Sequence, residues 1–123
     1  MISGVVNARR EAVVRLGVRG PSGAESDVDA VVDSGFSASL TLPAATVAAL
    51  GLLRQSAGRA VLADGTVLQF DIYAAEVGWD GTWRPVLVST VGSEVLLGMG
   101  LLAGHELRIA VVPGGTVAIT PLP

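Results

Sequence analysis

Five turn signals punctuate this chain, and their spacing limits its fold more than any other feature. They fall at Gly20-Pro21-Ser22-Gly23, Asp33-Ser34-Gly35, Asp64-Gly65, Asp80-Gly81 and Pro113-Gly114-Gly115. Asp-Gly between apolar runs is a hairpin signal, because both residues accept the positive φ that tight turns need. The runs left between the turns read as strands: Ala12–Arg19, Ser26–Val32, Arg59–Leu62, Val67–Val77, Arg84–Val91, Leu107–Val112 and Thr116–Ile119. Several alternate in the period of a half-buried strand. Val67, Phe70, Ile72 and Val77 are interleaved with Gln69, Asp71 and Glu76, and Val28 and Ala30 with Asp27 and Asp29. One segment reads as a helix. Pro43 suits a first helical position, and Ala44–Leu50 is rich in helix formers closed by Gly51. A shorter helical turn fits Leu101–Gly104, and Met1–Glu11 reads equally as an edge strand or a loose tail. The expectation is an all-β single domain over residues 1–123, a sandwich or barrel with one short helix, not a parallel α/β sheet.

Composition removes whole classes of function. Hydrophobic residues make up 50% of the 123 and charged residues 15%, which excludes a disordered chain and allows a self-sufficient core. A net charge of −3 provides no basic field for a nucleic-acid backbone, so no nucleic-acid partner is expected. There is no Lys, which removes Schiff-base chemistry and the Gly-Lys-Ser/Thr phosphate loop. There is no Cys, which removes disulfides, thiolate catalysis and Cys-based metal sites. The N-terminus has no apolar core and soon meets Arg9 and Arg10, unlike a secretory signal. Ser34–Leu53 is uncharged and long enough to span a bilayer. It carries Ser34, Ser37, Ser39, Thr41, Pro43 and Thr46, however, and reads as a buried loop, a strand and a short helix. No membrane association and a cytoplasmic location are the expectations.

Three candidate sites have plainer explanations. Gly98-Met99-Gly100 with Gly104 has one residue too many for a dinucleotide fingerprint, and only 19 residues follow it; it reads as a tight turn at a close backbone approach. Gly35-Phe36-Ser37-Ala38-Ser39 lacks the second glycine of a nucleophile elbow, and the single histidine, His105, reads as a strand-start residue, not a base. Asp27 and Asp29 share one face of a strand, which reads as a solvated face and not, with Asp33, as a metal site.

One candidate has more context. In Ala30-Val31-Val32-Asp33-Ser34-Gly35-Phe36 a carboxylate ends an apolar run and precedes a hydroxyl and a glycine. An acid placed against an apolar run is costly unless the fold supports it. Downstream lie Leu62-Ala63-Asp64-Gly65-Thr66, a hairpin turn between strands, and Val95-Leu96-Leu97-Gly98-Met99, apolar residues and a glycine leading into a helical turn. In this order the motifs resemble the retroviral-type aspartic proteases (retropepsins), and within them the small bacterial single-domain members. The resemblance covers residues 26–120. It implies a closed, barrel-like acid-protease fold and a homodimer. Asp33 would be the catalytic aspartate, Ser34 the hydroxyl bracing the two active-site loops across the dimer, and Gly35 the turn exposing the carboxylate. Leu97 and Gly98 would pack behind the Asp33 loop. Leu62, Ala63, Asp64, Gly65 and Thr66 would form the substrate-binding flap. Gly100 departs from the pattern, since such relatives often carry Asp after Leu-Leu-Gly-Met.

Peptide hydrolysis by carboxylates needs two of them around one water, sharing a proton because both cannot ionise at close range. The sequence holds one Asp-Ser-Gly, and Asp27, Asp29, Asp64, Asp71 and Asp80 lack its context. The second carboxylate must therefore come from a twofold-related copy of Asp33. The expected function is an aspartic endopeptidase acting on peptide or protein without metal or cofactor. The other reading of the same residues is a catalytically silent peptide-binding or dimerisation module that keeps the fold.

Overall fold

The computed structural model describes the whole chain, Met1–Pro123. Its elements run β1 (Ile2–Val6), β2 (Ala12–Arg19), β3 (Glu25–Val32), β4 (Leu40–Thr41), α1 (Ala44–Leu50), β5 (Leu53–Val61), β6 (Val67–Trp79), β7 (Thr82–Ser89), β8 (Leu96–Leu97), α2 (Met99–Leu102), β9 (His105–Ile109) and β10 (Thr116–Pro121). All ten strands join one sheet in the order β5-β6-β7-β4-β8-β3-β2-β1-β10-β9.

Strand β2 shows why the sheet folds over on itself. Its Ala12, Val14, Leu16 and Val18 are buried while Arg15 faces solvent, the period-two pattern of a strand with one face on the core. Along one edge β2 pairs antiparallel with β3 from Val13 to Arg19. Along the other edge it changes partner. Ala12–Val14 pair with β1, and Val18 and Arg19 pair with Val77 and Glu76 of β6. The second pairing brings the two halves of the sheet face to face. Ala75, Val77 and Trp79 of β6, Val86 and Val88 of β7, and Val117 and Ile119 of β10 then share one core with β2. Leu42, Val47 and Leu50 of the β4–α1 segment and Leu97, Leu101 and Leu102 around α2 complete it.

This corrects the expectation of a closed barrel. Closure at β2–β6 is two residue pairs long, and β5 and β9 each keep a free edge. A barrel needs a continuous ladder around its circumference. Here β5 pairs with β6 alone, and beyond Ile72, where the β6–β7 ladder ends, the outer part of the β5–β6 hairpin forms an arm instead of completing the ring.

There are two helices, not one. α1 occupies Ala44–Leu50 as expected, with Pro43 in extended conformation as its N-cap and Gly51, at φ 62°, closing its end. α2 forms one turn at Met99–Leu102, slightly before the expected Leu101–Gly104. Ile2–Val6 is an ordered strand that joins β2 to β10. β5 starts at Leu53 rather than Arg59, because the ladder with β6 recruits residues of low strand propensity. β9 stops at Ile109, and Ala110–Gly115 form a tight turn instead of a strand end. β4 and β8 are two residues each, too short to show any period in sequence. The uncharged stretch from Ser34 resolves into a loop, β4 and α1, and no helix is long and apolar enough to cross a membrane.

Candidate functional site

Asp33 stands where β3 ends, and the strand arrangement there is built by tertiary pairing. The two-residue β8 lies between β3, to which it runs parallel, and β4, to which it runs antiparallel. Val31 N–H donates to Val95 O at 2.9 Å, and Asp33 N–H donates to Leu97 O at 2.9 Å. Leu97 is fully buried, so the backbone of Asp33 is anchored to the core through it. The side chain is half-buried. Its Oδ1 accepts the Gly35 N–H at 2.9 Å, and Phe36 N–H donates to Asp33 O at 3.1 Å. One carboxylate oxygen is thereby held and the other makes no hydrogen bond within the chain. Gly35 has no left-handed φ; what it supplies is space, since a Cβ there would lie 3.2 Å from Asp33 Oδ1. The Ser34 hydroxyl is exposed and makes no hydrogen bond within the chain.

From Phe36 onward the loop is held by α2. Gly98 N–H donates to Ser39 O at 2.9 Å, Met99 N–H to Phe36 O at 2.7 Å and Gly100 N–H to Ala38 O at 3.0 Å. The helix start therefore gives its unpaired N–H groups to the loop that carries Asp33. Such contact needs small residues. A Cβ on Gly98 would run into the Ala38 carbonyl oxygen and the Phe36 ring. A Cβ on Gly100 would lie 2.8 Å from Ser39 Oγ and 3.0 Å from Ala38 C, so a small residue suits this position too.

Thr41, 2% exposed, is a second brace that sequence reading did not single out. Its hydroxyl donates to Glu94 O and accepts from Leu96 N–H, both at 2.8 Å, tying the entry of β8 to β4. Thr41→Val keeps the shape but strands both backbone groups. It is expected to lower unfolding free energy by about 2 kcal/mol, read from the denaturant midpoint at unchanged slope.

The turn Leu62–Thr66 caps the β5–β6 arm. Leu62 N–H donates to Thr66 O at 2.8 Å, Gly65 N–H to Leu62 O at 2.9 Å, and Gly65 takes φ 87°. Thr66 N–H donates to Asp64 Oδ1 at 2.8 Å. Hydrogen bonds from Thr66, side chain first and backbone second, hold the Asp64 carboxyl below its ordinary value. A depressed carboxyl stabilises the turn above the ordinary carboxylate range and loses that effect as pH falls through its own titration. Carbon-detected titration is expected to find Asp64 deprotonating below the ordinary aspartate value, and Thr66→Ala to raise it.

The site residues thus fall into two groups. Asp33, Ser34, Gly35, Leu97 and Gly98 are brought together by β3, β8 and α2. Leu62, Ala63, Asp64, Gly65 and Thr66 lie on the arm, and no hydrogen bond joins them to the Asp33 loop. Val61, Leu62, Val67 and Leu68 on that arm are exposed apolar residues. Asp27 and Asp29 face solvent beside Arg15, at 3.7 and 3.6 Å. His105 begins β9, half-buried, with Nε2 accepting the Trp79 indole N–H at 3.1 Å and Nδ1 3.0 Å from Ala103 O. Two surface pockets of about 270 and 350 Å³ lie elsewhere, around Arg19, Leu53 and Pro85 and around Arg108 and Thr116; neither is lined by Asp33. Arg84 was also missed: it reaches Leu101 O at 3.0 Å and Gly100 O at 3.4 Å, and nothing in its local sequence signals this. The chain matches no protein-family model and no curated protein.

Proposed function

We propose that this chain is one subunit of a homodimeric aspartic endopeptidase, with Asp33 of each subunit meeting at a twofold axis. The observation that carries the reading is the Asp33 loop itself. A carboxylate at a strand end has one oxygen held by Gly35 N–H and the other free, on a loop braced from behind by Leu97 and α2. Braced backbone and a reachable oxygen suit a group that must hold a water. With two such carboxylates sharing a proton, the ionised one takes a proton from water as it attacks the scissile carbonyl. The protonated one donates to the carbonyl oxygen. No metal is called for. Extended peptide would lie between the two Asp33 loops and the β5–β6 arms, bonded by backbone in the manner of an added strand.

The surface supports a partner. The accessible area is 7005 Å², against roughly 6,100 Å² expected for a monomer of 12.4 kDa. Exposed Val61, Leu62, Val67 and Leu68 on the arm and Val111, Val112 and Leu122 near the C-terminus are apolar area for a second copy or a peptide to cover. The test is cleavage of an unfolded polypeptide at mildly acid pH, with sedimentation in parallel. The proposal expects a dimer that cuts, and an Asp33→Ala dimer that does not. Cleavage retained in the variant would sink it.

The exposed apolar arm also favours the second reading, a silent peptide-binding module, since it would hold an extended chain whether or not Asp33 acts. That reading wins if the protein binds peptides, cuts none from acid to neutral pH, and binds equally well after Asp33→Asn.

A further inference from the structure

Helix α2 is one turn long and has no capping side chain of its own at either end. Gly98 is its N-cap without a side-chain bond, and neither its first nor its last turn carries a charged residue. Its first N–H groups go to the carbonyls of Phe36, Ala38 and Ser39, in the loop that continues from Asp33. Its last carbonyls have no usual closure, because Ala103 takes φ −53° and ψ 132° and does not make the left-handed turn that normally satisfies them. Arg84 of β7 fills that gap. Its Nη1 donates to Leu101 O at 3.0 Å and its Nη2 approaches Gly100 O at 3.4 Å. The guanidinium also lies 5.7 Å from the centroid of the Trp79 ring, which is itself buried and hydrogen-bonded to His105. Arg84 forms no ion pair with any carboxylate of the chain, unlike Arg15, Arg19, Arg54 and Arg108. A forked cation is therefore committed to two helix carbonyls, a pairing that its two terminal nitrogens make possible.

We infer that Arg84 is a positioning residue for the Asp33 loop: it holds α2 by its C-terminal carbonyls, and α2 holds the backbone of residues 36–39. The chain of contacts is continuous, from the Arg84 guanidinium through one helical turn to three loop carbonyls. Its catalytic consequence rests on the reading of Asp33 as the reacting group; the mechanical part does not.

The test uses two variants of the full chain. Arg84→Met keeps an apolar stem against Trp79 and removes every donor. Arg84→Lys keeps the charge but not the fork. Amide hydrogen exchange is followed at Gly98, Met99 and Gly100 and, for comparison, along the β2–β3 ladder. Exchange at the three α2 amides is expected to quicken by about tenfold or more in Arg84→Met, and by less in Arg84→Lys, while the ladder keeps its rate. In a cleavage assay kcat is expected to fall about tenfold in Arg84→Met with KM little changed, and Arg84→Lys to recover part of it. Unchanged exchange at the α2 amides overturns the inference, whatever the activity. So does an equal acceleration along the ladder, which would make Arg84 a general stabiliser. Local acceleration in a protein whose wild type cuts nothing upholds the positioning role and removes the protease reading instead.

Discussion

If the chain is the proposed homodimeric endopeptidase, Asp33→Asn is expected to lower its peptide hydrolysis by about 10³-fold or more while leaving fold and association unchanged. The change is close to isosteric. Asn keeps an oxygen that can accept the Gly35 N–H, the single hydrogen bond the side chain makes within the chain. Asp33 is half-buried and outside the core cluster, so the fold is expected to tolerate the change. On the proposed reading, what is lost is the group that would share a proton across the axis. Mixing gives a sharper measurement than the single variant. If wild-type and Asp33→Asn chains exchange freely, only dimers with two aspartates act, and an equal mixture should retain about one quarter of the wild-type rate. A mixture that retains half would mean that each subunit works alone, and the shared site would be wrong even if Asp33 is essential.

Gly98→Ala is expected to cost about 3 kcal/mol of stability, the upper part of the usual range for forcing extra volume into packed structure. The methyl group would meet a backbone carbonyl, that of Ala38, as well as the Phe36 ring. A carbonyl cannot rotate away as a side chain can, so the strain has to be relieved by separating α2 from the loop. That breaks the bonds from Gly98, Met99 and Gly100 to Ser39, Phe36 and Ala38. Stability and activity should therefore fall together, seen as a lower denaturant midpoint and a slower kcat in whatever fraction remains folded. Gly100→Ala is the internal comparison. Its nearest obstruction is the Ser39 hydroxyl, which can turn, so its effect should be smaller. Equal effects would show that the close approach at Gly98 is not what limits this position.

Much of the strand layout was legible because strands and turns leave local marks. Asp64-Gly65 and Asp80-Gly81 each join two antiparallel strands, as their chemistry implied, and Ala12–Arg19 is a strand with the bounds its run suggested. α1 was legible from Ala44–Leu50 and Gly51. The misses share one cause. β4 and β8 have two residues each, and a period cannot be read from two positions. The early part of β5, Leu53-Arg54-Gln55-Ser56, is exposed and, after Leu53, polar, and becomes a strand only because β6 offers it a ladder. The closed barrel was expected from the resemblance to the retropepsins, but closure depends on which edge pairs with which, and no local signal records that.

The site divides along the same line. Sequence alone determined that the chain holds one Asp-Ser-Gly at the end of an apolar strand, no cysteine or lysine chemistry, and a glycine pair after Leu96-Leu97. These are facts of composition and short-range order, and short-range physics reads them. Only the tertiary structure decided that Leu97 lies beside Asp33, that Gly98 and Gly100 press against Phe36–Ser39, and that Thr41 and Arg84 brace β8 and α2 from distant strands. Each of those contacts spans more than fifteen residues of chain. Such contacts follow from the partner change along β2 and the insertion of β8 between β3 and β4, which are set by the packing of the whole core and not by any one segment.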